Sequence, residues 1–286
     1  MTQDWTGIIL AGGAGTRLHP ITKGVTKQLL PVYDKPMIYY PLATLIQCGI
    51  KDIIIITSPE ERNKEGFRDL LGHGEAFGVE IKYLQQARPE GIAQALRIVD
   101  DEIGTSNVAL ILGDNIFHSE HFSIIAQETM SEVSSGKSDG AIFGIEVGDY
   151  SRYGVVGLDA DGFPERIIEK PSDEDMKVFS GKPFAVPGLY FYDVDTAITI
   201  ACGLKPSARG EYEITDLHRD MIAMNSLYVE PLPRGVAWFD AGTFDSLMSA
   251  AEYVRTVQKD TGVMVGSPED AAIQQRFITK AEACYD

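Results

Sequence analysis

The sequence predicts an α/β fold built on a mostly parallel sheet. Short, β-branched apolar runs alternate with segments of helical periodicity, which is the pattern of βαβ units around a covered sheet. The first apolar run ends in a glycine-rich turn. After Tyr150 the pattern shifts to strand-like runs separated by tight turns, so a mixed, more antiparallel part follows.

The strands are read in order. Gly7–Ala11, Asp52–Thr57, Val108–Gly113 and Ala141–Val147 are short apolar runs and predict buried parallel strands. Pro36–Cys48 reads as a helix. Ile92, Leu96, Val99 and Ile103 recur at helical spacing and define one apolar face. Gly154–Leu158, Glu165–Glu169, Val186–Tyr192 and Tyr228–Pro231 are strand-like, with Asp159-Ala-Asp-Gly162 as a turn. Thr243 is placed to cap a helix reaching about Val257, with Leu247, Ala250, Ala251 and Val254 on its inner face. With no repeat or linker in 286 residues, we read a single domain over 1–286. Its parts are residues 1–120, 121–242 and a helical 243–286.

Composition narrows the function. Hydrophobic residues make up 44% and charged residues 23% of the chain, ordinary for a globular protein. A net charge of −17 disfavours nucleic acid and anionic lipid as partners. Any phosphate site must gather its cations locally against that field. Cys48, Cys202 and Cys284 are too few and too far apart for a disulfide framework or a zinc site, which points to a reducing cytoplasm. The N-terminal apolar stretch is too short for a signal peptide and no run approaches a membrane span. His118 and His121 are close together, but the stretch after Phe117 reads as a solvated loop or helix start.

The glycine-rich turn carries the first chemistry. In Leu10-Ala-Gly-Gly-Ala-Gly-Thr-Arg-Leu18, Gly12, Gly13 and Gly15 let backbone amides approach an anion. It is neither a Walker A loop nor a dinucleotide fingerprint, whose third glycine would fall at Leu18. Arg17 follows directly and Lys27 ten residues later. This combination suits a triphosphate. Asp114 follows a buried strand and so sits at the carboxyl edge of the sheet, where open α/β folds bind ligands.

The ordered motifs resemble the sugar-1-phosphate nucleotidyltransferases over nearly the whole chain. They are Gly12-Gly-x-Gly-Thr-Arg-Leu-x-Pro20, Lys27-Gln-Leu-Leu-Pro31, Asp34-Lys-Pro-Met37, Gly91-Ile-Ala-Gln94, Leu112-Gly-Asp-Asn-Ile-Phe117, Tyr153-Gly-Val-Val156, Glu169-Lys-Pro171, Gly188-Leu-Tyr-Phe-Tyr-Asp193, Leu204-Lys-Pro-Ser-Ala-Arg-Gly-Glu-Tyr-Glu-Ile-Thr215 and Trp238-Phe-Asp-Ala-Gly-Thr-Phe244. The resemblance implies a Rossmann-like three-layer nucleotidyltransferase fold, with a mostly parallel mixed sheet and a smaller mixed sugar-binding part. It is narrowest toward members that use dTTP and glucose 1-phosphate with Mg²⁺. His19, Phe239 and Ala241 depart from residues usual at those positions.

The resemblance also implies residue roles. Leu10, Gly12, Gly13, Gly15, Thr16, Arg17, Lys27, Gln28, Gln86, Gly91 and Asp114 would face the nucleotide. Asn115, Gly154, Glu169, Lys170, Val186, Tyr190 and Arg209 would face the sugar phosphate. Asp114 and Asp240 would hold Mg²⁺, and Arg17, Lys27, Asp114, Lys170 and Arg209 would form the catalytic set. A homo-oligomer, often a tetramer in such families, is implied as well. Three rivals stand beside this reading: a uridylyltransferase, a nicotinamide-dependent oxidoreductase and a non-catalytic sugar-nucleotide sensor. The missing third glycine opposes the oxidoreductase. Retention of Lys27 and both aspartates opposes the sensor.

Overall fold

The computed structural model describes residues 4–13, 15–59 and 61–283. In chain order the strands are β1 (Trp5–Ala11), β2 (Pro31–Val32), β3 (Lys35–Pro36), β4 (Asp52–Thr57), β5 (Glu80–Gln85), β6 (Asn107–Leu112), β7 (Asn115–His118), β8 (Gly140–Gly144), β9 (Gly154–Leu158), β10 (Pro164–Glu169), β11 (Pro183–Ala185), β12 (Leu189–Tyr192), β13 (Leu227–Pro231) and β14 (Ala237–Asp240). The helices are α1 (Tyr39–Gln47), α2 (Glu61–Leu71), α3 (Gln94–Ile103), α4 (Phe122–Ser134), α5 (Asp173–Met176), α6 (Val194–Gly203), α7 (Ile214–Ala223), α8 (Phe244–Thr261) and α9 (Pro268–Gln274). Seven strands form one mixed sheet in the order β13-β8-β12-β6-β1-β4-β5. The pairs β1–β4, β4–β5 and β8–β13 are parallel, and β8–β12 is antiparallel. The α/β class with a mostly parallel sheet is therefore the observed one.

The described residues fall into two compact units. The first comprises residues 5–89, 110–125 and 236 onward. The apolar runs of β1 and β4 supply its sheet core, with Ile8, Ile9, Ile55 and Ile56 fully buried. Helix α1 begins at Tyr39 rather than Pro36, because Lys35 and Pro36 pair with Val32 and Pro31 as a short hairpin. Tyr40 closes that hairpin by donating its hydroxyl to the Val32 carbonyl at 2.6 Å. Helix α8 starts at a capping box in which Thr243 and Ser246 satisfy each other's backbone amides. It runs past the expected Val257 to Thr261, where Gly262 in the left-handed region ends it. Its inner residues Ala250 and Val254 join Val32, Met37, Tyr40, Ile116, Ala241 and Val265 in one apolar cluster.

The second unit comprises residues 90–109 and 126–235. Its distinctive part is a three-stranded antiparallel sheet, β10-β9-β11. The expected strand over Val186–Tyr192 shortens to Leu189–Tyr192, because Pro187 cannot donate to a ladder. Strand β8 is parallel to β13 but antiparallel to β12, a direction that apolar runs cannot encode. Helix α3 buries Leu96, Val99 and Ile103, whereas Ile92 lies just before it. No helix among the described residues is long and apolar enough to cross a membrane.

Candidate active site

In the first unit, β1 delivers the chain to the glycine-rich turn. Leu10 is half-buried near its end, and its carbonyl accepts the Gly113 amide at 3.1 Å. Gly13 and Gly15 take φ values of 107° and 56°, conformations that glycine adopts without a Cβ penalty. The turn is tied down at Gly15, whose carbonyl accepts the Thr22 hydroxyl at 2.7 Å and the Leu18 amide at 2.9 Å. Thr16 and Arg17 are left exposed on a single tight helical turn, anchored by fully buried Leu18.

Gln86 is buried at the end of the neighbouring strand, where its amide donates to Thr57 at 2.9 Å. Its side-chain oxygen lies 3.1 Å from where a Cβ on Gly12 would sit. The Gly12 turn and Gln86 are thus neighbours. Gln28 is also buried, accepts the Thr26 hydroxyl at 2.7 Å and packs beside Gly113. Its placement fixes the loop that presents Lys27.

Lys27 donates to the Asp114 carboxylate, and both side chains are largely shielded from solvent. Burial opposes ionisation of Asp114. The Lys27 charge, with hydrogen bonds from Lys27 and Asn115, outweighs it and holds the carboxyl below its usual value. Asn115 donates to Asp114 at 3.1 Å and accepts the Trp238 indole N–H at 2.6 Å.

The two candidate metal carboxylates are brought together by β-pairing. In the antiparallel ribbon of β7 and β14, Asp240 lies directly opposite Asn115 and Trp238 opposite Phe117. The Ala241 amide then donates to the Asp114 carbonyl at 3.0 Å. A methyl group at Gly242 would lie 2.8 Å from Asp240 Oδ1, 3.6 Å from Asp114 Oδ2 and 3.7 Å from the Arg17 guanidinium carbon. Two carboxylates and the loop arginine therefore converge on one glycine. Among the described residues no cluster of three or more His, Cys, Asp or Glu is arranged to hold a metal. A hard cation here would draw on these two carboxylates and on ligand oxygens, which is the donor set Mg²⁺ prefers.

In the second unit, Arg209 is the centre. Its guanidinium meets Glu213 at 3.1 and 2.7 Å, Glu169 at 3.2 Å and Glu211 at 3.5 Å. Burial opposes its charge, but Glu213 and the other carboxylates outweigh this and raise its pKa. Ser207 steadies the cluster by donating to Glu213 at 2.7 Å.

Lys170 lies 3.4 Å from Glu169 and adopts a φ of 46°. A lysine in the left-handed region is uncommon and concentrates at functional turns. Its amide is held by the Tyr153 carbonyl at 2.9 Å. Gly154 faces Glu169 across β9–β10, and its carbonyl accepts the Val186 amide at 2.8 Å. Val186 and Tyr190 are buried, and the Tyr190 ring lies 5.3 Å from that of His218.

Gly91 also belongs to this unit. Its φ is 104°, and a Cβ there would collide with the Tyr212 backbone. The close approach that requires glycine is therefore made by the chain itself.

Glu213, Trp238 and Gly242 were not singled out from the sequence. Glu213 stands four residues after Arg209, but that spacing brings side chains together only on a helix, and residues 204–213 form a loop. Trp238 and Gly242 flank Asp240, but nothing local says what they touch. His118 is not in a solvated loop. It ends β7, is partly buried and meets the Tyr253 hydroxyl at 2.8 Å. Cys48 is buried, with burial pushing its thiol up to about 12, and Cys202 is exposed. Cys284 lies outside the described residues.

The profile of the nucleotidyl transferase family matches residues 6–257. A glucose-1-phosphate thymidylyltransferase of Mycolicibacterium smegmatis is 52% identical over 95% of this chain and 90% of its own. One from Xanthomonas campestris pv. campestris is 48% identical over 97% and 90%. A crystal structure described as a glucose-1-phosphate thymidylyltransferase of Bacillus anthracis aligns with a TM-score of 0.76 at 38% identity, covering 88% of this chain and 95% of that one. UDP-glucose pyrophosphorylase shares the fold, with a TM-score of 0.76 at 24% identity over 88% and 99% of the two chains. The chain belongs to the nucleotidyl transferase family, alongside relatives named glucose-1-phosphate thymidylyltransferase.

Proposed function

We propose that the protein transfers a thymidylyl group from dTTP to glucose 1-phosphate, giving dTDP-glucose and pyrophosphate. The observation that carries the reading is the convergence of Arg17, Asp114 and Asp240 on Gly242, with Lys27 paired to Asp114. The names of relatives about half identical to this chain supply the substrates. A phosphate oxygen of the sugar phosphate attacks the α-phosphorus in line. The new O–P bond forms as the bond to pyrophosphate breaks, and no protein nucleophile is needed.

Arg17 and the glycine-loop amides take up charge on the departing pyrophosphate. Lys27 exchanges Asp114 for the α-phosphate as charge builds there. Lys170 and Arg209 hold the attacking phosphate, and Glu169 accepts sugar hydroxyls. Asn115, Gly154, Val186 and Tyr190 shape the sugar pocket, while Gln86 and Gly91 face the base. Asp114 and Asp240 would hold Mg²⁺, which neutralises phosphate charge when bound.

We place the enzyme in the cytoplasm as a homotetramer, feeding dTDP-rhamnose-type deoxysugar synthesis. Light scattering on the purified protein checks the tetramer.

The deciding experiment measures pyrophosphate release across nucleoside triphosphates and sugar 1-phosphates, with and without Mg²⁺. The reading expects rapid release only with dTTP, glucose 1-phosphate and Mg²⁺ together. Preference for UTP would reassign the base, and undiminished release in a metal chelator would remove the metal role.

A further inference from the structure

Arg97 and Tyr212 take no part in the chemistry above, yet they join two loops that do. Arg97, on α3, donates its Nε to the Ala201 carbonyl at 2.6 Å and its Nη2 to the Leu204 carbonyl at 3.2 Å. Its guanidinium carbon lies 4.0 Å from the centre of the Tyr212 ring, a cation–π arrangement. One side chain therefore grips both the start of the 204–213 segment, through Leu204, and its end, through Tyr212. Arg209 and Glu213 lie on that segment.

Tyr212 in turn is sewn to the 90–93 segment by its backbone. Its amide donates to the Glu90 carbonyl at 2.7 Å, and its carbonyl accepts the Ala93 amide at 3.3 Å. Gly91 sits between these two bonds, where a Cβ would lie 2.7 Å from the Tyr212 nitrogen. At Gly91 no side chain separates the segments.

We infer that Arg97 and Tyr212 are positioning residues that make the 90–93 and 204–213 segments move as one body, so that nucleotide ordered at Gly91 also orders Arg209 for the sugar phosphate. The inference rests on the proposed function. If one ligand orders a segment the other needs, the second binds more tightly, and the coupling is reciprocal.

The test measures glucose 1-phosphate affinity by calorimetry, with and without saturating α,β-imido-dTTP, an unreactive nucleotide, in Mg²⁺. In the native protein the nucleotide should tighten sugar-phosphate binding about fivefold or more. Arg97→Met should bring that ratio to within about twofold of unity, and Arg97→Lys, which lacks the planar fork, should do the same. Tyr212→Phe keeps the ring and the backbone bonds and should retain the coupling. In steady state, Arg97→Lys should raise the glucose 1-phosphate KM while kcat at saturation of both substrates changes little.

Coupling unchanged in both Arg97 variants overturns the inference, as does its absence from the native protein when both ligands bind. Should neither ligand bind the native protein, the functional reading fails and the clip is judged by hydrogen exchange without ligand. There the Tyr212 and Ala93 amides should show matched protection that drops together in Arg97→Lys. Independent exchange of the two amides overturns the clip.

Discussion

The Lys27 cluster and the Arg209 cluster solve one problem in two ways. Both keep a partly shielded cation in a chain of net charge −17 by resting it on carboxylates. The Lys27 and Asp114 side chains are only 16% and 10% exposed, and the β7–β14 ribbon fixes their surroundings through backbone register. Arg209 is 40% exposed, sits on a loop and shares itself among three carboxylates. The first arrangement suits charge that must appear at one point in a transition state. The second suits capture of an arriving anion, since a shared and hydrated arginine can change partners at little cost.

On that contrast, the largest effect belongs to Asp114. Asp114→Ala strands the Lys27 charge and should destabilise the fold by about 3–5 kcal/mol, read by urea unfolding. Adding Lys27→Met to it should restore much of that stability without restoring activity. No recovery in the double variant would mean that the pair's burial is not what sets the cost. Next come Lys27→Ala and Arg17→Ala, each expected to slow turnover by about 10²–10³ in a pyrophosphate-release assay. Near-native rates in both would remove them from the catalytic set. Glu213→Gln leaves Arg209 with Glu169 and Glu211, so its effect should be smaller. We expect the glucose 1-phosphate KM to rise about tenfold, with kcat nearly unchanged and equal melting temperatures, as for lost uniform binding. An equal fall in kcat would place Glu213 in the transition state.

Acid should act on buried histidine and on Asp114 in different pH ranges. Burial holds His218 neutral, with its pKa pushed from 6.5 down to about 3. Unfolded chain takes up that proton below pH 6.5 and folded chain does not, so stability falls as pH drops from 6.5 toward 3. Asp114 has a lowered carboxyl pKa against an ordinary 3.8. Its contribution is full above pH 3.8 and is lost only as pH falls further, through its folded value. Thermal melts of His218→Leu should therefore show a shallower decline between pH 6.5 and 4 than the native protein. Parallel slopes would exclude His218 as the source.

The sequence is most legible where chemistry is local. Thr243 announced its helix, Gly13 and Gly15 announced their turn, and the Ile53–Ile56 run announced a buried strand. It could not show that Asp240 faces Asn115, because a pairing 125 positions apart leaves no local signature. Gly91 is the instructive case, since its glycine is demanded by Tyr212, a residue too distant for any window of sequence to connect. Lys170 shows the converse, where an ordinary-looking lysine takes a left-handed backbone only visible once the chain is folded.

The β7–β14 ribbon has a further consequence. It carries Asp240 on one strand and holds Asp114 immediately before the other, with Asp240 paired to Asn115, while the intervening residues 126–235 belong to the other unit. That long stretch therefore runs between two ends that pair with each other. Loops within it can lengthen or shrink while the ribbon keeps Asp114 and Asp240 in register. A one-residue slip in the ribbon would instead turn Asp240 to the opposite face. Change within residues 126–235 can thus proceed while Asp114 and Asp240 keep their places.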